Sequence, residues 1–317
     1  MNPHTELTLD EEILSRWIGR REQRTDRIAA KPANFLRATL HQYTSAPDTD
    51  APGVERAARN YREGGFLPPG WHWLYFLEAP PMDQLGRDGH AALGGFLPPV
   101  ALPKRMWAGA RLQFHAPIVI GEELTKTSVI KSVALKSGRS GELCFVTVNH
   151  QFFSGSVLKL EEDHDIVYRG ASSTSHQADN QANNQADTPH PTPLDADISV
   201  VIKPTTTLLF RYSALTFNGH RIHYDLDFCK HIEGYPGLVV HAPLTATLML
   251  ELARNYYFER IAQHDFRAFN VTAVSPLFHD RPFTLHLKER SEPGQACVLW
   301  AANPDGSLAL SATLRLP

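Results

Sequence analysis

RYSALTFNGHRIHYDLDFCKHIEGYPGLVVHAPLTATLMLELA, residues 211 to 253, decides how the rest of the chain is read. It gathers His220, His223 and His241 around a Tyr-Pro-Gly turn that runs straight into an apolar stretch of helix formers. A buried helix whose N-terminus points back at proton-handling side chains suits acid/base chemistry on an acyl group, because the free amides and dipole at that end favour negative charge. The rest of the chain reads as the walls that hold this site.

Working outward, the helix is expected from about Leu238 to Arg260, with TTLLFRYSAL before the motif as a strand. Strands follow near 269–275, 281–290, 296–303 and 307–316, and Asn303 to Gly306 (NPDG) is a hairpin turn. Residues 171–195 carry no large aliphatic side chain before Leu194, so they cannot bury enough apolar area to offset ordering entropy and read as a disordered linker. On the other side of it, ELCFVTVNHQFF alternates with period two, placing Cys144, Val146 and Val148 on one face; GRSG (138–141) is the turn before it. Residues 94–109 are too rich in Pro and Gly for a regular element and read as an irregular wall, while WHWLYFL from Trp71 is strand-like. Residues 8–29 read as an amphipathic helix capped by Thr8 with Glu11, broken by Pro32 and followed by a short helical turn at NFLRATLH. Two α+β units, 1–170 with a helical leader and 196–317 with the motif, suggest a double copy of one architecture.

With 317 residues, 42% hydrophobic and 21% charged, the composition is that of a globular protein with a sizeable core. A net charge of −3 argues against nucleic acid as a partner. Cys144, Cys229 and Cys297 form no C-x-x-C pair, so they read as buried thiols in a reducing compartment. The acidic start and the lack of any apolar run near bilayer length imply a cytoplasmic protein with no membrane partner. Walker, G-x-G-x-x-G and G-x-S-x-G signatures are absent, and His220-x-x-His223 lacks the H-E-x-x-H spacing of a metal helix, so no metal and no separate cofactor are expected.

RYSALTFNGHRIHYD resembles the hydratase motif of the MaoC-like hot-dog family, the (R)-specific enoyl-thioester hydratases and dehydratases, whose pattern is S-G-D-x-N-P-x-H. The family's Asp falls on Asn218, its Asn on His220, its Pro on Arg221 and its catalytic His on His223. YPGLVVHAPL resembles the start of the family's central helix, with His241-Ala242 where His-Gly is usual. The wording SALTFN-HRIHYD, LPKRMWAG and KSGRSG is similar to the branch that contains mesaconyl-C4-CoA and itaconyl-CoA hydratases and a mitochondrial thioester dehydratase. The resemblance implies a double hot-dog of class α+β, two antiparallel sheets each wrapped on a helix, acting on an acyl-CoA whose CoA is part of the substrate. By fold-level analogy it also implies a homodimer.

Adding water across a thioester-conjugated double bond needs a base for the water, an acid for the α-carbon, and donors for the enolate-like oxygen. His223 suits the first role as a neutral imidazole. Asn218 exchanges no proton and is expected to hold the water or the imidazole. Either one shared water serves both steps with His223 alone, or Asp225 supplies a carboxylate. The Ala242 amide is the expected oxyanion donor, and His241 either packs or orients the helix start. Arg221 and His220 are candidate substrate-binding residues; an ion pair and a satisfied core histidine are their plainer readings. Arg105 and Trp107, with Lys104, line an acyl or CoA channel or belong to a solvated basic loop; Lys136 and Arg139 flank the GRSG turn. The reading is a hydro-lyase for a short branched or dicarboxylic enoyl-CoA, with a 3-hydroxyacyl-thioester dehydratase and a non-catalytic acyl-thioester binder as alternatives.

Overall fold

The computed structural model describes residues 7–44, 60–138, 141–170, 195–257, 266–290 and 297–317. The expected linker and the tip of the GRSG turn lie outside the described residues. Ten strands among the described residues form one antiparallel sheet: β1 (Arg21–Arg27), β2 (Lys104–Phe114), β3 (Glu123–Gly138), β4 (Gly141–Ser154), β5 (Val157–Arg169), β6 (Ile198–Ile202), β7 (Ala268–Ala273), β8 (Phe283–Lys288), β9 (Cys297–Ala302) and β10 (Leu308–Arg315). Their order is β1-β3-β4-β5-β2-β7-β10-β9-β8-β6. Read inward from either edge, each half repeats one pattern: first strand, third, fourth, fifth, second. The halves meet where β2 pairs with β7, Gly109 opposite Thr272. A Cβ on Gly109 would lie 2.3 Å from the Val271 carbonyl oxygen, so only glycine lets the two backbones approach.

Helix α1 is Glu11–Ser15, α2 is Ala30–Thr44, α3 is Thr206–Leu215 and α4 is Ala242–Tyr256. Leu244, Leu248, Met249 and Leu250 of α4 are buried in one cluster with Leu285, Leu299 and Leu310 of the second half and with Leu36, Leu40 and Leu112 of the first. Each such side chain contributes about 1.5–3 kcal/mol on burial, and the core runs continuously through both halves. This is the double hot-dog, class α+β, expected from the motif.

The four strand readings that follow the helix in the second half and the Asn303–Gly306 turn hold, the Gly306 amide donating to Asn303 O at 2.9 Å. On β4, Cys144, Val146 and Val148 share a buried face.

Several local expectations are corrected. The helix expected over 8–29 ends at Ser15; Gly19 turns the chain at φ 83°, and β1, REQRTDR, runs as a charged edge strand with no apolar stripe to bury. The cap of α1 is Asp10, whose Oδ1 accepts from the Glu12 and Ile13 amides at 2.8 and 3.2 Å. Pro32 starts a helix instead of breaking one, because in the first turn of α2 its missing N–H costs nothing. WHWLYFL is a 3-10 turn (Trp71–Leu74) laid over the first half's sheet, with Trp71 Nε1 donating to Glu251 of α4 at 2.9 Å. TTLLFRYSAL is α3, whose Thr205 Oγ1 accepts from the Leu208 amide at 3.1 Å; a short apolar run leaves strand and helix undecided, and the cap decides it. The irregular 94–109 wall is regular from Lys104 onward, as β2.

Candidate active site

The motif is a chain of local turns. After α3, the Asn218 amide donates to Ser213 O at 2.8 Å and Asn218 Oδ1 accepts from the His220 amide at 2.9 Å, an Asx turn that aims the next residues inward. Arg221–His223 then form one 3-10 turn, and the Val239 amide returns to Ile222 O at 2.9 Å. His241 caps α4, with Pro243 in its first turn. Both ends of the motif are thereby brought to one wall of a cavity of about 1400 Å³ lined by both halves.

His223 is 7% exposed, and its Nδ1–H donates to Val239 O at 2.7 Å. That bond assigns the proton to Nδ1 and leaves the Nε2 lone pair as the base. The ring stacks on His241, centroids 3.5 Å apart. His241 is 1% exposed; its Nε2 is 2.8 Å from Ser213 Oγ, and its Nδ1 has no partner among the described residues. Burial, only partly offset by the Val239 bond, pushes the His223 pKa down to about 4. Burial and the neighbouring imidazoles hold His220 and His241 below the ordinary histidine range as well. These rings are neutral at pH 7, as bases must be.

Ala242 is the first residue of α4, and its N–H belongs to the helix-end amides with no intrahelical acceptor; Pro243 has none to offer. It lines the cavity beside His223 and His241. Asn218 also lines it, but its amide oxygen is committed to the His220 backbone, and the partner of the His223 ring is the Val239 carbonyl.

Asp225 is placed elsewhere. Its Oδ2 accepts from Arg221 Nη2 and Nε at 2.7 and 3.0 Å and its Oδ1 from the Phe228 amide at 2.9 Å. It is a local cap and ion-pair partner whose carboxylate is fully used. Arg221 lies 4.3 Å over the Phe228 ring and donates to Arg87 O at 3.2 Å, so its guanidinium fastens the motif to the first half although its stem reaches the cavity wall. Arg105 and Trp107 both line the cavity. Lys104 does not: it is buried, donating to Glu233 O at 2.7 Å.

The first half contributes residues whose sequence context reads only as loop and strand. In Gly-Arg-Asp-Gly-His, His90 Nδ1–H donates to Asp88 Oδ2 at 2.7 Å, and the His90 ring lies 4.0 Å from that of His220. Burial raises the affinity of Asp88 for a proton, but the bonds and charge of His90 outweigh it and hold the carboxyl below its usual range. Ligand atoms of Asp88, His90 and His220 lie within 4.8 Å of one another, a donor set of metal-site size, but one carboxylate oxygen is already taken by His90. The only hint in the sequence was a carboxylate and an imidazole flanking glycine in a wall otherwise built of Pro and Gly.

A second polar group lies on the first half's sheet. Buried Glu162 accepts from His72 Nε2 at 2.9 Å and Trp73 Nε1 at 3.1 Å; burial opposes its charge, yet the histidine bonds keep it ionised. His150 and Lys126 line the same wall, and burial lowers the affinity of both for a proton.

A double hot-dog with basic imidazoles set against a helix N-terminus defines an acyl-thioester hydro-lyase. The chain belongs to the hydroxyacyl-thioester dehydratase type 2 family, whose model matches residues 70–277. It is 43% identical over 305 residues to the mesaconyl-C4-CoA hydratase of Chloroflexus aurantiacus, covering 95% of this chain and 96% of that one. Among solved structures, a MaoC-like dehydratase from Phytophthora capsici superposes with TM-score 0.60 at 13% identity, covering 98% of each chain. A Mycobacterium tuberculosis protein described as a double hotdog superposes with TM-score 0.53 at 13% identity, covering 94% of this chain and 96% of that one. No helix among the described residues is long and apolar enough to cross a membrane.

Proposed function

We propose that the protein reversibly adds water to a short branched or dicarboxylic enoyl-CoA, of the mesaconyl-C4-CoA or itaconyl-CoA type. His223 Nε2 takes a proton from water as the oxygen bonds to the β-carbon. The Ala242 amide, at the start of α4, holds the negative charge that moves onto the thioester oxygen. Asn218 orients the water or the acyl group through its free NH₂, and Arg105 and Trp107 bind substrate from the first half. The observation that carries this reading is the Nδ1–H bond of His223 to Val239 O, which leaves a neutral base on the cavity wall beside the helix start.

The polar wall of Glu162, His72, His150 and Lys126 favours a short polar acyl group over the long alkyl chain of a fatty-acid dehydratase, since an alkyl chain would desolvate those groups without replacing their hydrogen bonds. The reaction has no redox change and draws on no cofactor beyond the substrate's own CoA. The proposal includes a cytoplasmic homodimer, which sedimentation of the purified chain tests.

The deciding experiment is a panel of CoA thioesters followed by loss of enoyl absorbance. A C4 dicarboxylyl-CoA is expected to turn over at least ~10-fold faster than crotonyl-CoA, and His223→Gln to lower the rate ~100-fold or more. Faster turnover of crotonyl-CoA and longer homologues would give the site to the dehydratase alternative. No turnover of any thioester would leave a binding module.

A further inference from the structure

We propose that Asp88 and His90 form a second proton-transfer pair of this site, receiving by way of His220 the proton that His223 takes from water and delivering it to the α-carbon. The proposal rests on the hydratase reading and adds to it a group from the other half of the chain.

The motif itself has no acid. Asn218 cannot exchange a proton, and the carboxylate of Asp225 is committed to Arg221 and the Phe228 amide. The first half brings one in. The loop carrying Asp88 crosses the motif at a contact only glycine allows: a Cβ on Gly89, at φ 87°, would sit 2.0 Å from Gly219 O. The Arg221 amide donates to Asp88 O at 2.9 Å, tying the loop to the 3-10 turn that carries His223. A crossing this tight fixes Asp88 and His90 against His220.

The chemistry of the two ends differs. A proton on His223 would be backed only by a neutral carbonyl and pressed against the His241 ring, 3.5 Å away. A proton on His90 would be backed by an ionised carboxylate at 2.7 Å, the arrangement that stabilises a transient imidazolium, while burial and the Arg105 charge hold His90 below the ordinary histidine range, so that the proton is readily given up to the α-carbon. His220 lies in contact with both, its ring 5.4 Å from His223 and 4.0 Å from His90, and it is 7% exposed. It can take a proton on one ring nitrogen and release one from the other.

The step balances with one water. An O–H bond breaks, the proton passes to His223 and the oxygen bonds to the β-carbon. The π pair moves onto the thioester oxygen, giving an enolate. The proton travels from His223 through His220 to His90, and the enolate carbon takes it as the carbonyl re-forms. All three imidazoles end neutral, with no oxidant, reductant or metal consumed.

The test separates the two ends by using a saturated thioester, butyryl-CoA, which has α-protons but no site for water addition. The full-length protein is incubated with it in D₂O, and α-deuterium uptake is read by mass spectrometry beside hydration of the enoyl-CoA substrate. His90→Gln is expected to lower hydration and α-exchange together by ~100-fold, and Asp88→Asn, which keeps the shape and removes the charge, by ~10- to 100-fold. His223→Gln is expected to lower hydration as much while leaving α-exchange within about 3-fold. Melting curves establish that each variant is folded; if His90→Gln is not, Asp88→Asn alone decides. Wild-type exchange in H90Q or D88N, loss of exchange in H223Q, no exchange in the wild type, or activity lost to a chelator and restored by Zn²⁺ would each overturn the pair. A protein that exchanges α-protons through His90 but hydrates no thioester would instead overturn the hydratase reading and leave the pair standing.

Discussion

The His223 and His241 rings stack with centroids 3.5 Å apart and planes 20° from parallel, each ring anchored at its far side, one to the Val239 carbonyl and the other to the Ser213 hydroxyl. A proton on either ring would be repelled by a proton on the other. The stack therefore keeps a base ready at neutral pH and makes the site sensitive to acid.

That sensitivity has a sign. The folded pKa of His223 is about 4 against 6.5 for the free side chain, so between those values the unfolded chain binds more protons than the folded one. Stability is full above about pH 6.5 and falls as pH drops toward 4; His220 and His241, also held low, steepen the fall. Urea midpoints measured from pH 8 to pH 4.5 should decline over that window. His241→Phe, which preserves the stack and removes one titrating ring, should flatten the decline while losing about 1 kcal/mol at pH 8 with the Ser213 bond. The rate constant kcat/KM should hold well below pH 6.5, where an ordinary histidine base would already be failing.

Asp225 offers a sharper negative. Its oxygens serve Arg221 and the Phe228 amide, and an asparagine oxygen can still accept from that amide. Asp225→Asn should therefore change kcat by less than about 3-fold and shift Tm by no more than about 3 °C, since an exposed ion pair contributes little. A loss near that of His223→Gln would return the carboxylate to the mechanism.

The site was legible where one short stretch carries it. Asn218 to His223 and His241-Ala242 are local in sequence, so their spacing was enough to bring His223 and the helix start to one cavity wall. The partner of His223 was not legible, because a backbone carbonyl carries no residue identity; any side chain at Val239 would offer the same oxygen. Asp88 and His90 were hidden for another reason, lying about 130 residues from the rings they join, in a loop whose hydrophobic pattern says nothing. The same limit explains α3 and the Trp71 turn: Thr205 and Gly70 decide the local geometry, while the apolar run that follows fits either periodicity.

The crossing of the two halves can be tested at one atom. Gly89 sits at φ 87° with the Gly219 carbonyl where its side chain would be, so Gly89→Ala must push the loop and the motif apart. A loss of about 1–3 kcal/mol in denaturant melts is expected, from backbone strain and overpacking together. The rate should fall by more than ~10-fold even at temperatures where the variant is fully folded, because Asp88 and His90 move with the loop. Gly95, where a Cβ meets nothing within 4 Å, is the control: Gly95→Ala should leave both quantities near wild type.

On the proposed hydratase reading, Arg105 is the residue that would meet a carboxylate on the acyl group. In a mesaconyl-type thioester the free carboxylate hangs from the β-carbon, the atom that water attacks, so its partner must sit beside the catalytic imidazoles. Arg105 lines the cavity there, close enough that its charge disfavours a proton on His90 and helps keep Asp88 ionised. A planar guanidinium can grip that carboxylate through two parallel hydrogen bonds, which a lysine ammonium cannot reproduce. Arg105→Ala should raise KM for the dicarboxylyl thioester by ~10- to 100-fold, the equivalent of about 1.5–3 kcal/mol for a hydrogen bond to a charged group, and Arg105→Lys should recover only part of it. Crotonyl-CoA, which has a methyl group in that place, should show little change in KM. Equal losses for both substrates would instead assign Arg105 to the CoA portion that they share.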